Sequence, residues 1–426
     1  MDAPMPDIVG IHGVAHGGQG VGRGVGEDAD PRTWLVEGAL PGERVTAIRL
    51  REAKRMIRGE TDEILVKSPA RVSPPCSYAA SCGGCNWQHV DPAAQLGLKR
   101  EIVNGQLRQL KVEVNHAYAS PQPLGYRRRA RLHYSKESGT FELGFRRQYS
   151  HSIVDLDHCM VLDGPLNRAL ERLRGVADVL PMRGEVTGLS DGTRAILGLP
   201  GVAPSEALDV AFRERALDET LVGIALRGRR KRHSVGVTSM AIDGGDGMIS
   251  MAAGPFVFTQ AQAEQNAALI RHVVEAARPR SKRVLELFAG AGNFTRELAR
   301  HASGVWALDD SRESISYLRA LAEEWKLPVN AKHGKAENLL PKIARNETTY
   351  DITVLDPPRR GLGRVGSVAV AKITRERIVY VACDPSTLAR DLQAMVEGGF
   401  RITDISIFDF MPMTAEIEVV ATLEAT

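Results

Sequence analysis

The final part of the chain, from about residue 255 onward, alternates between short apolar runs and amphipathic stretches. The apolar runs read "RVLEL", "GVWAL", "DITVL" and "RIVYVA", and the stretches between them are long enough to form helices. Parallel neighbouring strands need such crossover helices, so this order predicts successive βα units in a mostly parallel sheet. The end, "RITDISIFDFMPMTAEIEVVATLE", holds two strands with no room for a crossover helix between them. We therefore expect an antiparallel hairpin at the edge of the sheet.

A glycine-rich segment follows the first of these runs, in "VLELFAGAGNFTREL". Gly290 and Gly292 let the backbone approach a ligand closely, and Asp309 ends the next strand, where a carboxylate can accept ribose hydroxyls. Thr295 stands where a dinucleotide fingerprint would have its third glycine. The loop therefore favours a nucleoside such as S-adenosylmethionine (SAM) over a pyrophosphate ligand. A tight strand-to-helix turn without a ligand is the alternative.

Two further strand ends carry residues suited to catalysis. Asp356 begins "DPPRRG" directly after "DITVL", and Cys383 follows "RIVYVA" in "VACDPSTLARDL". A helix that starts at Pro385 would favour the Cys383 thiolate, whereas the neighbouring Asp384 would oppose it unless Arg359 or the helix start outweighs that effect. Cys383 is therefore a candidate nucleophile. The alternative is a buried cysteine that packs as a small apolar residue.

Four segments of this region resemble the successive motifs of the SAM-dependent RNA (uracil-5-)-methyltransferases: "VLELFAGAGNFT", "VLDPPRRG", "YVACDPSTLARDL" and "MPMTAEIEVV". Upstream, "PFVFTQ" is similar to the segment of that family that ends in a SAM-contacting glutamine. The N-terminal "HGGQGVGR" and "VEGALPGERV" resemble the TRAM domain, an oligonucleotide-binding β-barrel found in one branch of the family. Only residues from about 165 to 250 carry no motif of the family, so the resemblance spans most of the chain.

The resemblance implies a covalent mechanism. Carbon 5 of uracil is a poor nucleophile, and addition of the Cys383 thiolate to carbon 6 would make carbon 5 enolate-like. After methyl transfer a general base must remove the proton on carbon 5 before the sulfur leaves, and by similarity this proton acceptor is Glu418. Glu416 stands two positions earlier, where the family usually has histidine, and leaves open which glutamate acts. An exposed edge-strand charge is the alternative for either residue.

The same motifs imply further site residues. Asp356 and Arg359 are expected to hold the uracil edge and the charge of the site. The residues expected to bind SAM are Gln260, Phe288, Gly290, Asn293, Asp309 and Asp356. Two positions depart from the pattern of the family, since Asp384 stands where asparagine is usual and Met411 where phenylalanine is usual.

Upstream of these motifs, residues 7 to 67 consist of short apolar runs between Gly, Pro and Asp turns, which predicts a β-barrel of about five strands. A generic barrel without a ligand is the alternative. "DPAAQLGLKREIVNGQLRQL" then predicts a helix with Asp91 as N-cap and Pro92 at its first position. We expect a TRAM OB-like RNA-binding barrel at 1–68, an α+β iron–sulfur and RNA-binding middle domain at 69–252, and an α/β Rossmann-like SAM-dependent methyltransferase domain at 253–426. The resemblance allows the helix at about 91–120 to pack on the catalytic domain.

Four of the five cysteines are candidate metal ligands. Cys76, Cys82 and Cys85 lie in "CSYAASCGGCNWQH", and Cys159 follows in "DHC". Four thiolates can hold a [4Fe–4S] cluster or a zinc ion, and three ligands from one stretch with one remote ligand favour the cluster over a zinc ribbon. The similarity of these segments to the iron–sulfur signature of the family strengthens this prediction. A radical SAM site would need a CxxxCxxC spacing and an open iron, and His89 is the alternative to Cys159.

RNA is the expected partner, because a structured uridine must leave its stack to reach the site and its neighbours must be held. Two basic runs are candidates, "YRRRAR" at 126–131, with the better support, and "RGRRKRH" at 227–233, which a solvated loop would explain equally well. TRAM and cluster together resemble the branch that acts on 23S rRNA; a tRNA substrate is one alternative, and a non-catalytic RNA-binding iron–sulfur protein is another. The net charge of +3 is low, so local patches must meet the RNA. Without a signal peptide or a long apolar segment, we expect a cytoplasmic monomer with no membrane contact and no obligate protein partner.

Overall fold

The structure, a computed structural model, describes residues 6–243 and 249–426 of the chain. Its N-terminal part is a closed barrel whose interior is filled by apolar side chains, among them Val9, Trp34, Val45 and Ile57. The strands are β1 (Asp7–Val14), β2 (Gly20–Gly24), β3 (Thr33–Glu37), β4 (Arg44–Glu52) and β5 (Met56–Val66). They close in the order β1-β2-β3-β5-β4, and β4 pairs back onto β1. The predicted five-stranded barrel is confirmed.

A helix and a short strand follow the cysteine-rich stretch, namely α1 (Pro92–Leu107) and β6 (His116–Tyr118). The helix begins as predicted, because the Asp91 side chain accepts a hydrogen bond from the Ala93 N–H and Pro92 lies in the first turn. The α-helix ends at Leu107, and one 3-10 turn follows before Lys111 adopts a left-handed conformation with φ 56°. The helical segment is therefore shorter than the predicted range of about 91–120.

The middle of the chain forms a six-stranded sheet with helices on one face. Its elements are β7 (Arg129–Ser135), β8 (Glu142–Gly144), α2 (Gly164–Arg174), β9 (Arg183–Ser190), β10 (Ala195–Pro200), α3 (Glu206–Ala211), β11 (Leu221–Arg227) and β12 (Arg232–Gly236). The strand order is β12-β11-β10-β9-β7-β8, and only β10 and β11 run parallel. A hairpin of β13 (Met240–Asp243) and β14 (Ile249–Ala253) follows. This mixed arrangement agrees with the predicted α+β class.

The C-terminal part is an α/β domain. Its elements are α4 (Ala263–Ala277), β15 (Arg283–Leu287), α5 (Thr295–Ala299), β16 (Gly304–Asp309), α6 (Arg312–Glu324), β17 (Val329–His333), α7 (Ala336–Arg345), β18 (Tyr350–Leu355), α8 (Gly363–Ile373), β19 (Thr374–Ala382), α9 (Pro385–Glu397), β20 (Phe400–Phe408) and β21 (Glu418–Ala425). The order β17-β16-β15-β18-β19-β21-β20-β6 contains five neighbouring parallel strands, β15 to β19. The predicted parallel sheet is confirmed, and its helices enclose apolar cores on both faces.

The last two strands pair antiparallel, as predicted, but their place in the sheet differs from the prediction. β21 lies between β19 and β20, and β6 pairs parallel with β20, so β6 rather than the hairpin forms this edge of the sheet. The pairing joins Ser406 to His116, which are far apart in sequence, so no local pattern could indicate it.

The early helix α1 packs on this C-terminal domain. Ile102, Val103 and Leu107 join the same apolar core as the strands of the large sheet. The Lys99 side chain is fully buried, and its Nζ lies 2.6 Å from Asp409 Oδ1. The N-terminal segment is thus fixed to the C-terminal sheet by both apolar and ionic contacts. Among the described residues, no helix combines the length and apolar character needed to cross a membrane.

Candidate active site

The carboxyl ends of the parallel strands surround one cavity of about 570 Å³. A parallel sheet brings these ends to a single edge, which is why segments distant in sequence meet there. The cavity includes nearly all of the residues predicted for the reaction and for SAM, namely Gln260, Phe288, Gly290, Asp309, Asp356, Arg359, Cys383 and Glu418. The structure therefore brings these residues together in one cavity, and their roles in binding and catalysis stay predictions.

The glycine loop after β15 forms one end of the cavity. Phe288, Gly290 and Gly292 all have positive φ values, of 60°, 56° and 103°. The Gly290 N–H donates to Asp309 Oδ2 at 2.9 Å, and the Ser311 N–H donates to Asp309 Oδ1 at 2.8 Å. These bonds fix the carboxylate at the end of β16 beside the loop. Burial raises the pKa of Asp309 although both backbone bonds favour its charged form.

Asn293 is the one predicted SAM residue that does not line this cavity. Its side-chain amide exchanges two hydrogen bonds of 2.9 Å with the amide of Asn266 on α4. Asn293 thus connects the glycine loop to α4, and both its Oδ1 and its Nδ2 take part in that contact. A position within a motif indicates nearness to the ligand, but it does not tell which way the side chain points.

Beneath the glycine loop lies a carboxyl group that the sequence did not single out. Glu286 on β15 is buried, and the Thr295 hydroxyl donates to its Oε2 at 2.6 Å. Its other oxygen has no hydrogen-bond partner among the described residues. Burial raises the pKa of Glu286 to about 8, so this group is largely protonated at neutral pH.

Cys383, Asp356 and Glu418 line the same cavity. Burial raises the pKa of the Cys383 thiol to about 12, and the negative charges of Glu418 and Asp356 act in the same direction. Arg359 opposes this rise. The thiol is therefore protonated in the free protein, and the expected stabilisation of its thiolate by the helix start is not found.

The first turn of α9 explains this difference. The Asp384 carboxylate accepts hydrogen bonds from the N–H groups of Ser386 at 3.0 Å and Thr387 at 2.9 Å. Asp384 thus caps the helix and occupies the donors that would otherwise favour a thiolate. An aspartate at this position also places a negative charge beside Cys383.

The two C-terminal glutamates have different surroundings. Glu418 begins β21, is 8% exposed and lines the cavity, and its Oε1 has no hydrogen-bond partner among the described residues. Burial and the charges of Asp356 and Glu416 raise the pKa of Glu418 well above its usual range. Glu416 precedes the strand, and its Oε2 lies 2.6 Å from Arg359 Nη2. The two side chains are therefore not equivalent, and Glu418 is the one that faces the cavity.

Several lining residues were missed by the sequence reasoning. Phe256 and Phe258 come from the segment before α4, and Ser311, Lys335 and Glu337 follow β16 and β17. The last three lie beyond the carboxyl ends of parallel strands, which is the rule that located Asp356 and Cys383. Applying that rule to every strand would have found them. The two phenylalanines belong to "PFVFTQ", from which only the glutamine was selected.

A second, smaller cavity is lined by Cys76, Cys82, Cys85 and Cys159. His89 does not line it, and burial lowers the pKa of His89 to about 4. Burial raises the pKa of Cys85 to about 11 and raises those of Cys82 and Cys159 as well, with further increases from neighbouring cysteines. Within residues 6–243 and 249–426, no group of three or more His, Cys, Asp or Glu is arranged to hold a metal ion. The four thiols thus share a cavity without forming a site for one ion.

The first basic run, residues 126–131, is mostly engaged in contacts within the protein. Tyr126 is 1% exposed and its hydroxyl donates to the Pro412 carbonyl at 3.1 Å. Arg129 lies over the Phe258 ring, and burial lowers its pKa to about 10. Arg131 is exposed but pairs with Glu185 at 3.2 Å. Most of these side chains thus have partners within the protein, but Arg129 Nη1 is buried without a hydrogen-bond partner among the described residues. That this run is the better candidate for phosphate contacts stays a prediction.

The second run lies at the turn between β11 and β12. Its ends are anchored, since Arg227 and Arg232 both pair with Glu313 at the start of α6. Residues 229–231, which we name the basic tip, are exposed, and among the described residues none of them pairs with a carboxylate. The basic tip is therefore the freer of the two candidate RNA contacts, and α6 holds it on the side of the main cavity.

Comparison with known proteins relates these features to a family. A family model described as tRNA (Uracil-5-)-methyltransferase matches residues 239–426. The 23S rRNA (uracil(1939)-C(5))-methyltransferase RlmD of Pseudomonas putida is 33% identical over 417 residues, which cover 95% of this chain and 92% of that protein. An uncharacterized RNA methyltransferase of Streptomyces coelicolor is 32% identical, covering 96% of this chain and 91% of that protein.

Among solved structures, this chain resembles the tRNA (uracil-54, C5)-methyltransferase of Pyrococcus abyssi in complex with S-adenosyl-L-homocysteine. The TM-score is 0.74 and the sequence identity 23%, with 97% of this chain and 99% of that chain covered. This likeness confirms the predicted fold class, an α/β domain preceded by an N-terminal barrel.

Proposed function

The chain belongs to the RNA (uracil-5-)-methyltransferase family, and we propose that it methylates carbon 5 of a uridine in 23S rRNA with SAM as methyl donor. The observation that carries the proposal is that Cys383, Asp356, Arg359 and Glu418 face one cavity that residues of the glycine loop also line. A nucleophile and a buried carboxyl group within one cavity suit covalent chemistry on a pyrimidine. The sequence-based assignment to this family and enzyme class is confirmed by the relatives.

The cofactor end of the cavity suits a nucleoside. The Asp309 carboxylate can accept ribose hydroxyls, the Gly290 backbone allows close approach, and Phe288 offers an aromatic face. Gln260 and Asp356 complete the set that would hold SAM, with Asn293 supporting the loop through Asn266. When bound, SAM supplies the methyl group that carbon 5 of uracil takes up, leaving S-adenosylhomocysteine.

Cys383 acts first in the proposed mechanism. Its sulfur bonds to carbon 6 of uracil while the thiol proton passes to Asp356, whose pKa burial raises to about 7. A carboxyl group with such a pKa can accept and return a proton near neutral pH. Arg359 stabilises the negative charge that develops on the uracil oxygen, and carbon 5 becomes the nucleophile for the methyl group.

Glu418 acts after methyl transfer. It removes the proton on carbon 5, and the electron pair of that bond reforms the double bond between carbons 5 and 6. The bond from carbon 6 to sulfur breaks, and Cys383 recovers its proton from Asp356. Because its pKa is raised, the ionised form of Glu418 is a stronger base than the carboxylate of an exposed glutamate. Glu416 takes no proton, because its carboxylate is held by Arg359.

The test compares two glutamate variants. Glu418→Gln should form a methylated covalent RNA adduct that persists on denaturing gels, because the sulfur cannot leave while the proton remains on carbon 5. Glu416→Gln is the matched control, since it changes a carboxyl group two positions away and should not trap the adduct. Labelled SAM and RNA labelled with tritium at carbon 5 measure the methylation and proton-removal steps separately. If Cys383→Ala still methylates RNA, the covalent mechanism is wrong.

The choice of 23S rRNA rests on the relatives and on the early part of the chain. The Pseudomonas putida relative, which is named for uridine 1939 of 23S rRNA, aligns over the barrel and the cysteine-rich stretch as well as the catalytic domain. The basic tip offers phosphate contacts beside the cavity. Mapping of 5-methyluridine in rRNA and tRNA from a strain that lacks this protein tests the choice. Loss of the modification from tRNA alone would contradict it.

The four cysteines suit a [4Fe–4S] cluster better than a single ion. Each cysteine of such a cluster binds a different iron, so the ligands surround a larger volume than the ligands of one ion do. The observation that supports the cluster is that all four cysteines line one cavity. Thiolates there need nearby positive charge, since burial and mutual repulsion raise the cysteine pKa values. Anaerobically purified protein should contain about four irons per chain and absorb visible light; a colourless protein with one zinc would contradict the assignment.

A further inference from the structure

We infer that the cysteine-rich stretch positions the general base, with Asn86 and Trp87 holding the loop that leads into Glu418. We name residues 76–89 the cysteine loop and residues 411–417 the base loop. The inference rests on the proposed function, because it assigns Glu418 the removal of the proton on carbon 5. It adds that residues directly after Cys85 decide where that carboxyl group lies.

The contacts between the two loops are direct hydrogen bonds. The backbone N–H of Trp87 donates to the Met413 carbonyl at 2.9 Å, and the backbone N–H of Ala415 donates to Asn86 Oδ1 at 3.0 Å. On α1, the buried Gln95 accepts from the Met413 N–H at 2.8 Å. Both backbone groups of Met413 are therefore bonded to residues more than 300 positions earlier in the chain.

The base loop needs this support because its backbone is strained. Met413 has φ 66°, in the left-handed region that a residue with a side chain rarely adopts. Such conformations persist where surrounding contacts determine them, and they occur often at functional sites. Here the surrounding contacts are those of Asn86, Trp87 and Gln95. The hydroxyl of Tyr126 adds a bond to the Pro412 carbonyl at 3.1 Å.

The cysteine loop is itself held from the side of the barrel. Trp87 is fully buried, and its Nε1 donates to the Gly18 carbonyl at 3.1 Å, while Asn86 Nδ2 donates to the Gly17 carbonyl at 2.9 Å. Gly18 has φ 94°, and a Cβ there would lie 2.6 Å from Trp87 Nε1 and 2.8 Å from the Ala415 Cβ. The turn between β1 and β2, the cysteine loop and the base loop therefore meet with no space between them.

Glu418 depends on these contacts because its own side chain is not anchored. Its Oε1 has no hydrogen-bond partner among the described residues, so its position follows from the backbone at the start of β21. Ala415, which Asn86 holds, is only three residues earlier. A displacement of about 1 Å at a reacting group can cost on the order of 10²-fold in rate. Loss of the Asn86 contact should therefore impair proton removal more than methyl transfer, which does not use Glu418.

The experiment compares the rate of methyl transfer with the rate of proton removal from carbon 5, using the whole chain. Asn86→Ala should slow tritium release from carbon 5 by about 10- to 100-fold, leave single-turnover methyl transfer within about twofold, and accumulate the methylated adduct. Asn86→Asp keeps the acceptor for the Ala415 N–H but loses the donor to the Gly17 carbonyl, so its two rates should stay closer to those of the wild type than the rates of Asn86→Ala do. Asn104→Ala is the matched control. Asn104 lies on α1, its side chain accepts a hydrogen bond of 2.8 Å from the Val114 N–H, and it does not contact the base loop.

A second variant guards against misfolding of the first. Gln95→Met keeps the side-chain volume but removes the acceptor for the Met413 N–H and the donor to the Trp87 and Val90 carbonyls. Both changes loosen the contact between the two loops, so this variant should accumulate the same adduct. If a folded Asn86→Ala or Gln95→Met enzyme loses methyl transfer and tritium release equally, without adduct, the positioning role is wrong. That result is distinguishable from failure of the proposed function, in which the wild type itself would neither release tritium nor form an adduct with its Glu418→Gln variant.

Discussion

Replacement of Lys99 by methionine would test how α1 is attached to the catalytic domain. Lys99 Nζ lies 2.6 Å from Asp409 Oδ1 and 3.2 Å from the Met411 carbonyl, and the two charged side chains are 0% and 7% exposed. Methionine preserves the apolar stem, so the main effect is an unpaired carboxylate that water cannot reach. Removal of one partner from such a buried pair costs about 3–5 kcal/mol. The free energy of unfolding of a typical protein is about 5–15 kcal/mol, so this loss would be a large part of it.

Urea denaturation followed by circular dichroism at neutral pH measures the change in the free energy of unfolding. The double variant Lys99→Met with Asp409→Leu should recover most of the loss, because both buried charges are then absent. Lys282→Met serves as the matched control, since Lys282 pairs with Glu376 at 2.5 Å on the surface and its removal should change stability little.

Two results would contradict an ionic attachment of α1. If Lys99→Met destabilises the protein no more than Lys282→Met does, the Asp409 carboxylate must gain another partner or water, and the pair does not fix α1. If the double variant is as unstable as the single one, the loss comes from packing rather than from an unpaired charge. Either result would separate the ionic contribution from that of the apolar contacts of α1.

Three further predictions concern other parts of the molecule. Because the Cys383 pKa is about 12, its alkylation by iodoacetamide, followed by peptide mass spectrometry, should speed up about tenfold per pH unit between about pH 7 and 9. Glu418→Gln should increase this rate by removing a negative neighbour, whereas a rate independent of pH would contradict the raised pKa. Neutralising the basic tip should reduce the slope of log affinity for RNA against log salt by about 2 to 3, and an unchanged slope would exclude these contacts. Burial tends to raise the pKa of Glu43, but hydrogen bonds from Arg71, Leu40 and Ser68 outweigh it and lower the pKa. This contribution to stability is therefore present above about pH 4 and lost as the pH falls through the depressed pKa, so the urea stability of Glu43→Gln should approach that of the wild type at acidic pH.

Much of the fold and the location of the site could be predicted from local sequence patterns. Alternating strands and helices predict a parallel sheet, and the carboxyl ends of such strands meet at one edge, so Asp309, Asp356 and Cys383 could be assigned to one site. The start of α1 followed from Asp91 and Pro92, because capping depends on neighbouring residues only. The barrel likewise followed from the spacing of its turns. These features depend on interactions within a few residues or on rules common to all parallel sheets.

Local patterns thus indicate the order of the elements, the family motifs and the candidate reacting groups. Which of these side chains are available to act depends on how the chain packs. The tertiary structure directed Asn293 toward Asn266, enclosed Tyr126, and paired Glu416 with Arg359 while leaving Glu418 free. It also joined β6 to β20 and the cysteine loop to the base loop across about 300 residues of sequence. Burial, charge pairing and pKa depend on which distant segments pack together, and a local pattern does not specify that packing.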